Sequence, residues 1–122
     1  MAQFRYIVDD VDAAVAFYRD RLGFALEEQY GPAMAILRKD DLQLWVAGPP
    51  ASASKPMPDG RQPAPGGWCR IVILVNDLDA VVASMTQSGV TFRNAIVAGP
   101  GGRQILCEDP SGNPVELFQP TP

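Results

Sequence analysis

The chain has no histidine, which removes the commonest transition-metal ligand and the commonest general base at neutral pH. Cysteine is nearly absent as well. Cys69 and Cys107 are the only two, too few for a disulfide framework, and they read as reduced, partly buried thiols. Long apolar runs are missing: stretches such as Ile71 to Val75 fall far short of the ~20 residues that cross a bilayer. Gln3 and Arg5 break the first apolar stretch, so no signal peptide is read there and a cytoplasmic location without membrane contact is expected. Basic clusters are also lacking. Ten Lys and Arg stand against fourteen Asp and Glu, a net charge of −4, so nucleic acid is not an expected partner.

What the chain does have is a repeat. Ile7-Val8-Asp9-Asp10-Val11-Asp12-Ala13-Ala14-Val15-Ala16 returns as Leu74-Val75-Asn76-Asp77-Leu78-Asp79-Ala80-Val81-Val82-Ala83, an offset of 67 residues from Ile7 to Leu74. A repeat of this length implies two copies of one supersecondary unit. With 122 residues, 47% hydrophobic and 20% charged, the chain suits a single domain, residues 1–122, with its own core.

Each copy predicts the same elements. In the first, residues 3–8 alternate, with Phe4, Tyr6 and Val8 on one face and Gln3, Arg5 and Ile7 on the other. A helix follows, capped by Asp10 and stopped by Gly23, with Val11, Ala14, Val15, Tyr18 and Leu22 as its apolar stripe. Strands are expected over 25–30, 34–39 and 42–47, parted by turns at Gly31-Pro32 and Asp40-Asp41. The second copy predicts a strand over 68–75, a helix over 78–88 capped by Asp77 and stopped by Gly89, and strands over 92–98, 103–108 and 114–119. Module 1 is thus 1–47 and module 2 is 68–122. The intervening residues 48–67 hold six prolines and four glycines and read as a linker, either an inert connector or a lid. Gly99-Pro100-Gly101-Gly102 is not a phosphate loop, because no Lys-Ser/Thr follows and it leads into a strand.

Val-x-Asp-x-Asp before an amphipathic helix, Phe17-Tyr18, Leu22-Gly23-Phe24, and Glu108-Asp109-Pro110-Ser111-Gly112-Asn113-Pro114-Val115-Glu116-Leu117 together resemble the vicinal oxygen chelate superfamily of glyoxalase I, extradiol dioxygenases and bleomycin resistance proteins. The resemblance implies an α+β fold: two tandem βαβββ modules forming an open eight-stranded cup, helices on the convex side and ligand in the hollow. It also implies a homodimer. In metal-dependent members the ligands come from the first and last strands of each module. Carried over, the first-strand positions fall at Gln3 and Arg70. Aligning Leu42-Gln43-Leu44-Trp45 with Val115-Glu116-Leu117-Phe118 places the last-strand pair at Gln43 and Glu116.

Arginine is permanently charged and has no acceptor, so this set is expected to hold no metal, and no cofactor is expected. The strand period of two gives the lining of the implied hollow as Gln3, Arg5, Gln43, Trp45, Trp68, Arg70, Val72, Glu116 and Phe118. Aromatic walls with a few polar groups suit a small aromatic or anionic molecule. Two readings stay open. One is a metal-independent binder. The other is a glyoxalase-like lyase, isomerase or dioxygenase using Glu116 as base with a non-standard ligand set. Arg70 and Glu116 could equally be a structural ion pair, and the three aromatics core or interface residues.

Overall fold

The computed structural model describes residues 1–122. Its elements run β1 (Ala2–Ile7), α1 (Val11–Leu22), β2 (Ala25–Tyr30), β3 (Met34–Lys39), β4 (Leu42–Ala47), a short 3-10 turn (Ser52–Ser54), β5 (Ile71–Leu74), α2 (Leu78–Gln87), β6 (Thr91–Phe92), β7 (Val97–Gly99), β8 (Gly102–Glu108) and β9 (Pro114–Pro120). The fold is α+β. The four-stranded sheet has the order β1-β4-β3-β2; the five-stranded one runs β5-β9-β8-β6, with β7 also on β8. No helix is long and apolar enough to cross a membrane. The chain divides into two compact units, Met1–Gly66 with Pro110–Gly112, and Gly67–Asp109 with Asn113–Pro122.

In the first unit the Asp10 carboxylate accepts from the Ala13 N–H at 3.1 Å and Gly23 ends α1 with φ 75°, a left-handed conformation that a side chain would strain. The expected stripe is buried, joined by Phe17. Tyr18, fully buried, stacks on Tyr6 at 6.0 Å and meets Phe17 and Phe24 edge-on. The aromatic packing under the sheet therefore comes from helix, strand and cap together. The core is completed by Ala35, Leu37, Leu44 and Val46, none of them exposed.

In the second unit Asp77 caps α2 through the Ala80 N–H, and Leu78, Ile105, Cys107, Val115 and Leu117 form the interior. The turn before β9 is built on Asp109, whose two carboxylate oxygens accept from the Asn113 backbone N–H at 2.9 Å and side-chain N–H at 3.0 Å. Both residues are buried, so each polar group needs the other.

Three expectations require correction. There are nine strands, not eight, because the strand expected over 92–98 is broken: the Asn94 side-chain oxygen accepts from the Leu106 N–H at 2.9 Å, displacing a backbone partner from the ladder. The strand expected over 68–75 spans only Ile71–Leu74; opposite its missing start stands Pro114, which has no N–H to give. Residues 48–67 are not a featureless connector, since Ala51 and Ser54 are buried. The Ser54 hydroxyl donates to the Gly48 carbonyl at 2.8 Å, and Gln62 donates to the Ser54 carbonyl at 2.7 Å. Such side-chain-to-backbone bonds leave no periodic trace in sequence.

Gly48 anchors this segment, because a Cβ there would lie 2.3 Å from the Pro32 carbonyl oxygen and 2.8 Å from Val11 Cγ2. Gly48→Ala is expected to lower the thermal midpoint more than Gly99→Ser, whose site is open and whose backbone is not left-handed. Leu44→Ala, at a fully buried position, is expected to cost about 2–5 kcal/mol in chemical denaturation.

Candidate functional site

The parallel pairing of β1 with β4 sets Gln3 beside Gln43, Arg5 beside Trp45 and Ile7 beside Ala47. Because Tyr6, Leu44 and Val46 are buried on the helix side, with Phe4 edge-on to Tyr6, the opposite face carries the candidates. The β3–β4 register extends each row: Arg38 joins Gln43, Ile36 joins Trp45, and Met34 joins Ala47. The face is thus polar at one end and apolar at the other, with Arg5 and Trp45 at the change.

A chain of contacts orders the polar end. Trp45 Nε1–H donates to Gln43 Oε1 at 2.9 Å, and Gln3 reaches the same oxygen at 3.5 Å. Gln43 Nε2–H donates to Glu27 Oε1 at 3.1 Å, while Arg38 Nε–H holds Glu27 Oε2 at 3.0 Å. The Gln43 bond first, and Arg38 second, hold the Glu27 carboxyl below the usual range. Arg5 Cζ lies 5.0 Å from the centroid of the Trp45 ring, within cation–π range.

The second unit gathers Arg70 and Glu116. Arg70 Nη2 and Nε donate to Glu116 Oε1 at 2.8 and 3.1 Å, and Nη1 donates to the Trp68 carbonyl at 3.2 Å. Both guanidinium bonds fall on one carboxylate oxygen, and the other keeps solvent contact. Trp68 is 69% exposed, its ring covered by Arg93 at 4.7 Å. Arg93 also pairs with Glu108 at 2.8 Å and donates to the Gly67 carbonyl at 2.6 Å. Phe118 is half-buried, opposite Leu74 and Gln104, and Val72 is exposed.

Ladder register also corrects the correspondence between the copies. Ile7 pairs with Ala47, and its repeat mate Leu74 pairs with Phe118. Ala47 and Phe118 are therefore equivalent, and the mate of Glu116 is Trp45, two residues beyond Gln43. Local sequence similarity of Gln-Leu to Glu-Leu misaligned them. By the same registers, Glu27 and Arg38 are the mates of Arg93 and Glu108. One ion pair thus recurs with its charges exchanged. Sequence reading missed these four residues, along with Met34 and Ile36, and left Ile7 out of the lining although its strand face was read correctly, because they lie outside the first and last strands or lack chemical distinction; continuing the period of two across β3 would have found Met34, Ile36 and Arg38.

These donors do not fit a divalent cation. In the first unit an indole stands at the mate of Glu116 and the Gln43 oxygen already accepts two bonds; in the second Arg70 brings positive charge to Glu116; and no three His, Cys, Asp or Glu side chains group to hold a metal. Asp9, Asp10 and Asp12 border a separate groove of about 330 Å³, but Asp10 is a helix cap and Asp12 accepts from Gln29. The thiols differ from expectation. Cys107 is buried, and that burial pushes it up to about 12, whereas Cys69 is exposed. Iodoacetamide at pH 8 is expected to label Cys69 alone in the native protein and both thiols in denaturant, read by mass spectrometry.

A family model described as the Glyoxalase/Bleomycin resistance protein/Dioxygenase superfamily matches residues 1–117. Among solved structures, a member of that superfamily from Sphaerobacter thermophilus is 28% identical, with a TM-score of 0.76, covering 98% of this chain and 95% of its own. TnmS3, an antibiotic binding protein from Streptomyces sp. CB03234, is 27% identical, with a TM-score of 0.73 and coverage of 98% and 93%. Lactoylglutathione lyase from Agrobacterium tumefaciens has the same fold at 22% identity, with a TM-score of 0.77 and coverage of 98% and 92%. No curated protein matches the chain significantly.

Proposed function

We propose that this chain, which belongs to the glyoxalase/bleomycin resistance protein/dioxygenase superfamily, binds a small aromatic or anionic organic molecule without a metal ion. The observation that carries this reading is the pair of substitutions at the ligand positions: Trp45 at the mate of Glu116, and Arg70 engaging Glu116 at 2.8 Å. In the first unit that position is an aromatic wall, and in the second the carboxylate is already neutralised by its own arginine. Gln3, Arg5, Gln43 and Trp45 from the first unit, and Trp68, Arg70, Glu116 and Phe118 from the second, are the residues proposed to contact ligand. The likeness to an antibiotic binding protein supports binding rather than turnover. We further propose a cytoplasmic homodimer with no nucleic-acid or membrane partner.

One observation favours a second reading. The free oxygen of Glu116 is an available proton acceptor, which a metal-dependent lyase, isomerase or dioxygenase of this superfamily could use as a base.

Metal removal separates the two. Tryptophan fluorescence quenching by a panel of planar aromatic compounds is expected to be unchanged after exhaustive EDTA dialysis. Stoichiometric divalent metal in the purified protein, with binding or turnover lost on chelation and regained on its return, overturns the proposal in favour of the enzyme.

A further inference from the structure

Eight arginines are present, and six of them meet a carboxylate: Arg19, Arg38, Arg61, Arg70, Arg93 and Arg103. The two without one are Arg5 and Arg21. Arg21 is exposed in the last turn of α1, where a cation complements the helix dipole. Arg5 has no such role. It stands exposed on the solvent-side face of the first sheet, in a chain with excess negative charge. The acid on that face closest to the polar row, Glu27, already has both oxygens engaged by Gln43 and Arg38. Glu28 sits on β2, three strands from β1 in the sheet order, roughly 14 Å away at ordinary strand spacing and thus beyond a Debye length at physiological salt.

Contact with the Trp45 ring at 5.0 Å holds the guanidinium on the sheet without using its N–H edge. A fork so positioned loses less side-chain freedom on binding than a free lysine or arginine would. Next to it, on the same face, lie Ile7, Ile36 and Met34, all half-buried. A pre-placed cation beside an apolar strip is complementary to a molecule with an acid group at one end and a flat apolar body behind it.

We propose that Arg5 is the anchor for the carboxylate of an aromatic acid, whose ring lies over Ile7, Ile36 and Met34. This rests on the small-molecule-binding reading above and specifies the ligand class and the residue that selects it. Arg70, the other candidate cation, is not the anchor, because Glu116 already neutralises it. The carboxylate accepts two parallel N–H bonds from the guanidinium, a charge-assisted geometry that an uncharged isostere cannot reproduce.

The test compares naphthoate with its uncharged analogue naphthamide by calorimetry, on the full chain and on Arg5→Gln and Arg21→Gln. The native protein is expected to prefer naphthoate by about tenfold or more, as charge-assisted bonds at a partly exposed site allow. Arg5→Gln is expected to abolish that preference by weakening naphthoate binding about tenfold or more, with an unchanged thermal midpoint reporting that the fold remains intact. Arg21→Gln is expected to keep the preference. Equal affinity of the native protein for the two probes, or a preference that survives Arg5→Gln, overturns the anchor while the binding reading stands. Failure of both probes to bind at millimolar concentration overturns the anchor too, and the aromatic panel then decides whether the binding reading falls with it.

Discussion

In each unit the first and last strands lie side by side and parallel, Ile7 beside Ala47 and Leu74 beside Phe118. That register decides which side chains share the solvent face, because a slip of one residue would send every one of them into the interior. It is held from beneath. Leu44 and Val46 in one unit, and Val115 and Leu117 in the other, are without exposure, and hiding each is worth about 1.5–3 kcal/mol. The polar groups on the outer face therefore do not have to stabilise the sheet that displays them. Arg5 can remain without a counter-ion because the strand beneath it is secured by Tyr6 and Val8.

Much of this was legible in the chain itself. Both helices begin at the aspartates that cap them, and the first strand's alternation was read correctly, because a cap and a period of two are local properties. The family was legible for the same reason: Asp109 and Asn113 complete their bonds within a five-residue turn. What escaped was everything set by partners distant in sequence. Asn94 interrupts a strand by bonding Leu106, and Ser54 and Gln62 fasten a proline-rich segment that has no pattern. Trp68 was placed in a strand, yet it lies outside β5, under an arginine far along the chain, Arg93.

The candidate residues were found with a wrong correspondence between them. Gln43 was matched to Glu116 on the likeness of short neighbouring strings, whereas hydrogen-bond register matches Trp45. The error is instructive in physical terms. Similarity of side chains records what a strand buries, and alternating apolar strands look alike at every shift of two. Only the ladder distinguishes those shifts. The corrected match makes the two faces less alike chemically than the sequence suggests, an indole in one copy and a carboxylate in the other, each beside an arginine.

The ion pair that reappears with exchanged signs, Glu27 with Arg38 and Arg93 with Glu108, bears on how two copies of one unit can drift apart. Interconverting these arrangements takes two replacements, and the halfway form sets like charges next to each other. At positions that keep partial access to water, such a form forfeits about 1 kcal/mol or less, a loss that a domain with a margin of several kcal/mol survives. The Asp109–Asn113 lock, sealed from water, permits no comparable detour. Change is thus better tolerated at the rims of the sheets than in the turn that closes β8 onto β9.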